Sequence, residues 1–99
     1  MKKKITGQSF DAHIIELKQK NPSFRAAYGK ALGRMPVSTQ LAVARREAGL
    51  TQEKLARRLH ISQSAVAQVE RPDGNPTVQT VEKIAHLLGY QLVLQAAHL

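Results

Sequence analysis

The chain has no cysteine, which excludes a disulfide framework and a thiolate metal site. It has no apolar run near the roughly 20 residues needed to span a bilayer. The opening MKKKITGQSF carries the cations of a secretory leader without the apolar stretch that should follow, so a soluble, cytoplasmic protein is expected. Acidic residues are also few: seven, against fifteen Lys and Arg. Such a stock of carboxylates leaves little from which to build an active site. No glycine-rich phosphate loop is present, and no nucleophile has an evident base and orienting group. The four histidines, His13, His60, His86 and His98, are scattered singly, without metal-ligand spacing. Neither an enzyme, a metal centre nor a cofactor is expected.

What is present is positive charge. A formal net charge of +8 favours a polyanionic partner and lets long-range attraction assist the encounter. Most of the excess lies early: residues 1–36 hold eight Lys and Arg against two acids, whereas residues 37–99 hold seven against five. Lys2, Lys3 and Lys4 are expected to form a mobile arm, either reaching phosphates or simply aiding solubility.

Ninety-nine residues support one compact domain with little to spare. Two parts are expected, a basic arm with a helical extension over 1–36 and a second, mainly helical unit over 37–99. In the first, Phe10, Ile14 and Leu17 recur at helical spacing after a capping Ser9, and Asn21-Pro22 restarts the chain into a second helix ending at Gly33. Met35-Pro36 is the hinge. In the second, Val37 to Ala48 turns Leu41, Ala44 and Ala48 inward and stops at Gly49. A later helix, capped by Thr77, turns Val78, Val81, Ile84, Ala85 and Leu88 toward the core. RPDGNP before it forbids helix continuation, and Tyr90 to Leu94 alternates as a strand would.

The decisive stretch is TQEKLARRLHISQSAVAQVE, Thr51 to Glu70. It reads as two short helices joined by a tight turn, with Thr51 and Ser62 as caps. Leu55, Ala56 and Leu59 face inward on the first helix, Val66 and Val69 on the second, and Ile61 plugs the turn. The second helix presents short amides and hydroxyls, which suit the floor of a DNA major groove, where Gln can bond one adenine edge twice. Gln63 and Gln68 are expected to read base edges, with Ser64 and Ala67 beside neighbouring bases or a thymine methyl. Ser62 belongs to the same surface, and Arg46 and Arg71 are expected on phosphates. This is a helix-turn-helix.

From ARREAGLTQEKLA through SQSAVAQVE to NPTVQTVEKIAHLLG, the chain resembles the Cro/phage-repressor, or Xre, class of regulators. The resemblance implies an all-α, five-helix, lambda-repressor-like domain, with Ser62 to Glu70 as recognition helix. It implies an internal ion pair that falls here on Arg45 and Glu70, and a phosphate contact from Gln52. Where the family usually has Gly after the first motif helix, this chain has His60, so some strain in the turn or a slightly altered angle is expected.

A lone strand leaves unpaired edges. The same strand from a second copy would satisfy one of them, which makes Tyr90, Leu92, Val93 and Leu94 a dimerisation segment; a frayed tail packed on the helices is the alternative. FDAHIIELKQKNPSFRAAYGKA resembles the extension of HigA-like antitoxins, which neutralise RelE/HigB-like mRNA-cleaving toxins and repress their own operon. By that resemblance Phe10, Ile14, Leu17, Phe24 and Tyr28 would touch such a toxin, unless they pack on the protein's own core. The expected partners are an operator duplex, a second copy and a toxin of this kind; the alternative is a stand-alone Xre-type regulator.

Overall fold

A computed structural model describes the backbone of residues 7–96 and the side chains of residues 12–96. Phe10's side chain and the Lys2–Lys4 run therefore lie outside the described residues. Among the described residues six helices follow in order: α1 Gly7–Lys20, α2 Pro22–Gly33, α3 Val37–Glu47, α4 Gln52–Leu59, α5 Gln63–Val69 and α6 Val78–Leu87.

The starts of these helices are set by short side chains acting over three residues. Asn21 Oδ1 accepts from the Phe24 N–H at 3.0 Å, Thr51 Oγ1 from Lys54 at 3.1 Å, Ser62 Oγ from Ala65 at 3.0 Å and Thr77 Oγ1 from Thr80 at 3.2 Å. Each satisfies one donor that the helix itself leaves unpaired. Ser9 is not a cap, because α1 begins two residues earlier, at Gly7.

The core belongs to α3–α6. Leu41, Leu55, Ala56, Val66, Val69, Ile84 and Ala85 form one buried cluster, with Leu50, Leu59, Ile61, Val81 and Leu88 packed around it. Leu55, Val66 and Ile84 are fully enclosed, each stabilising the fold by roughly 1.5–3 kcal/mol. Small Ala56 lets α4 and α5 approach closely, and these two helices make the most extensive pairing. Two expected core positions fall outside. Ala48 is exposed at the end of α3, and Val78 is 64% exposed at the first residue of α6, where the helix has not yet reached the core.

Among the described residues the helical extension adds nothing to that cluster, and α2 buries no residue. It is fastened to α3 by a polar contact instead. Glu47 accepts from the Tyr28 hydroxyl at 2.8 Å and from Lys18 Nζ at 3.0 Å. The same ammonium lies 4.8 Å from the centre of the Tyr28 ring, and Phe24 stacks on Tyr28 at 5.9 Å.

Two expectations for the end of the chain are corrected. Residues 37–96 contain four helices, not five, and no strand occurs among the described residues. Gly89, at φ +86, stops α6, and the Tyr90 N–H returns to Ala85 O at 2.8 Å. Beyond it Tyr90, Leu92, Val93 and Leu94 are all exposed, Leu94 to 98%. The alternation in YQLVL favours a strand, but a ladder needs a second backbone and the described residues supply none.

Candidate nucleic-acid interface

The turn between α4 and α5 is closed by His60 in the left-handed region, at φ 56 and ψ 40. The Ile61 N–H reaches Ala56 O at 3.0 Å and the His60 N–H reaches Arg57 O at 3.2 Å, so two of the last four carbonyls of α4 are satisfied. The bonds demand a conformation that costs an ordinary side chain about 1–2 kcal/mol. His60→Gly should therefore raise stability by about 0.5–1 kcal/mol after allowing for the looser unfolded chain. That corresponds to a melting temperature higher by roughly 2–8 °C by circular dichroism. An unchanged or lower value would show that the turn is unstrained.

From this turn α5 emerges with a polar outer face. Gln63, Ser64 and Gln68 are exposed and Ala67 is half-buried, while Val66 and Val69 point into the core. Ser62 keeps its hydroxyl hydrogen free to donate outward, since its oxygen accepts the capping bond. Apolar spacing alone produces this division, because the two valines anchor one side of a seven-residue helix.

The pose of α5 is set at its far end. Glu70 receives Arg45 through Nε to Oε2 at 2.6 Å and Nη2 to Oε1 at 3.1 Å. Arg45 Nη1 also donates to Leu50 O at 2.7 Å, tying in the loop before α4. The side chains are 13% and 8% exposed, so water competes weakly for them. Gln52, expected on a phosphate, donates its Nε2 to Glu70 Oε1 at 3.1 Å. One carboxylate thus gathers α3, the start of α4 and the end of α5.

The cations are placed less uniformly. Arg46 is exposed on α3, and Arg57 and Arg58 are exposed on α4, with Arg57 3.9 Å from Glu53. Arg71 is also exposed, but its guanidinium is held by Asp73, Nε to Oδ1 at 3.2 Å and Nη2 to Oδ2 at 3.0 Å. That bonding, and then the opposite charge, keeps the Asp73 carboxyl below its ordinary range and raises the Arg71 guanidinium.

Sequence reasoning missed this pair, although a separation of two residues across a proline is a readable signal. It also missed Gln52 on Glu70 and the Glu47 contact. The proposed toxin-facing residues Ile14, Leu17, Phe24 and Tyr28 are half-buried, and Tyr28 is engaged with α3. No group of His, Asp and Glu suited to a metal ion occurs among the described residues. No helix among them is long and apolar enough to cross a membrane.

The helix-turn-helix family matches residues 41–95. The immunity repressor protein of Bacillus phage phi105 is 38% identical over 58 residues, 59% of this chain and 40% of that protein. An uncharacterized HTH-type transcriptional regulator, y4dJ, from Sinorhizobium fredii (strain NBRC 101917 / NGR234) is 43% identical over 53 residues, 54% of this chain and 69% of its own length. The phage repressor is thus covered over less than half its length. No solved structure matches the chain.

Proposed function

The chain belongs to the helix-turn-helix family, and from that premise we propose that it is a sequence-specific transcriptional repressor reading duplex DNA with Gln63 and Gln68. The observation that carries this reading is the exposed amide face of α5, backed by the Arg45–Glu70–Gln52 cluster. A groove-reading side chain must be aimed before it meets the bases, because freezing it on binding costs affinity. The carboxylate at the end of α5 supplies that aim from within the protein.

Each glutamine can donate to and accept from one adenine edge, which discriminates against other bases. Ser64 and Ala67 meet adjacent bases or a thymine methyl. The start of α4 offers backbone N–H groups and the positive end of its dipole to a phosphate, with Gln52 alongside when it leaves Glu70. Arg46 and Arg71 complete the grip on the backbone.

A homodimer is the working form in this reading. The stretch from Leu87 to Ala97 contains no charged residue, so two copies can meet there with no like charges directly opposed in the seam. Tyr90, Leu92, Val93 and Leu94 are exposed and ready for such a contact. A second copy would bring that exposed segment a backbone and apolar surface to pair with. Selection from a random duplex library should then return a two-fold site with half-sites about 10 base pairs apart. Leu92→Asp should sediment as a monomer and lose preference for the paired site. A monomeric wild type bound to a single half-site would overturn the dimer.

One observation favours a second role, that of antitoxin. An extension that buries no residue of α2 adds little to the protein's own core, as an element kept for a partner would. Its surplus of cations argues against a basic toxin, so apolar contact through Phe24, Ile14 and Leu17 would have to dominate. Co-purification of an adjacent gene's product with this chain tests that role, and its failure leaves a stand-alone regulator.

A further inference from the structure

We infer that Asp73 is an internal stand-in for a DNA phosphate, which holds Arg71 back and weakens the sequence-independent part of binding. The inference rests on the DNA-binding reading above. Arg71 directly follows α5, and its guanidinium grips Asp73 through two parallel bonds of 3.2 and 3.0 Å. That fork is also how arginine holds a phosphate. The two donors best placed for a backbone oxygen pair are therefore already filled.

The pair has no part in assembling the helices. Its side chains are 63% and 75% exposed, unlike the enclosed Arg45–Glu70 bond one residue upstream. The loop that creates it is tightly constrained. A Cβ at Gly74 would collide with the Gln68 carbonyl oxygen, so the chain turns back hard beneath the recognition helix and sets Asp73 beside the arginine. The carboxyl, held below its ordinary range by Arg71, is ionised throughout the neutral region.

Two penalties follow when DNA arrives. Arg71 must leave Asp73 to reach a phosphate, and the released carboxylate then faces the DNA backbone. Both apply whatever the base sequence, whereas Gln63 and Gln68 are unaffected. Asp73 thus lowers general adhesion to duplex without touching base readout.

The test is fluorescence anisotropy with a labelled random-sequence duplex, titrated across a series of KCl concentrations. Asp73→Asn should bind about three- to fivefold tighter, close to the most that an exposed ion pair is worth. Against random duplex the wild-type Arg71 stays on Asp73, so the variant's plot of log affinity against log salt should steepen by about 0.9, one additional phosphate contact. Most of the gain should vanish when Arg71→Ala is added. Thermal melting of Asp73→Asn and of a second variant, Asp73→Ser, checks that the fold persists. Unchanged or weaker binding by folded variants, with the wild type binding normally, overturns the inference. So does an equal gain with and without Arg71. Absence of salt-dependent binding by the wild type would instead bring down the DNA-binding reading, and this inference with it.

Discussion

Glu70→Ala should melt roughly 12–24 °C below the wild type, the consequence of removing one member of an enclosed ion pair. Arg45 would be left with a largely buried charge and a single remaining bond, to Leu50 O. A loss of about 3 kcal/mol is expected, the lower end for such pairs, because that bond survives and 13% of the arginine side chain reaches water. Gln52 loses its acceptor as well. Operator binding should fall with stability, since α5 is no longer fixed at its end. Thermal melting followed by circular dichroism gives the answer, and a shift of only a few degrees would mean the cluster does not hold α5.

Gln68→Ala should behave in the opposite way. Its side chain is exposed, so the melting temperature should stay within a few degrees of the wild type. Affinity for the selected operator should drop about tenfold or more, the worth of a good bidentate contact of roughly 1–3 kcal/mol. Affinity for random duplex should not change, because phosphate contacts carry no sequence information. Gln63→Ala should follow the same pattern at a different base position. Equal losses on operator and random duplex would remove both glutamines from base readout.

How much of this was legible in the chain depended on how local the physics was. Asn21, Thr51, Ser62 and Thr77 were readable because a cap acts over three residues and needs only a short oxygen-bearing side chain. The stripe of Leu55, Ala56, Val66 and Val69 was readable from spacing, and all four are buried. Arg45 and Glu70 lie 25 positions apart, beyond any local rule. The resemblance to phage repressors pointed to that pair. Nothing pointed to Gln52 joining it, because that bond depends on where α5 ends relative to the start of α4.

The extension was legible as helices but not as a docked element. Glu47 with Tyr28 and Lys18 is a contact between helices whose relative placement periodicity does not encode. The tail was misread for a related reason. Alternation records which backbone a segment prefers, whereas a strand exists only where another backbone pairs with it. Val78 fell on the inner stripe by count, yet first-turn residues can project past the end of the core.

The claim on which the account turns is that α5 reads base identity, not only charge. Its most direct measurement is the ratio of wild-type affinities for the selected operator and for a random duplex, taken in the same buffer near physiological salt. The account predicts a preference of about a thousandfold or more for the operator. Equal affinity for both, weakening in parallel as salt rises, would contradict it.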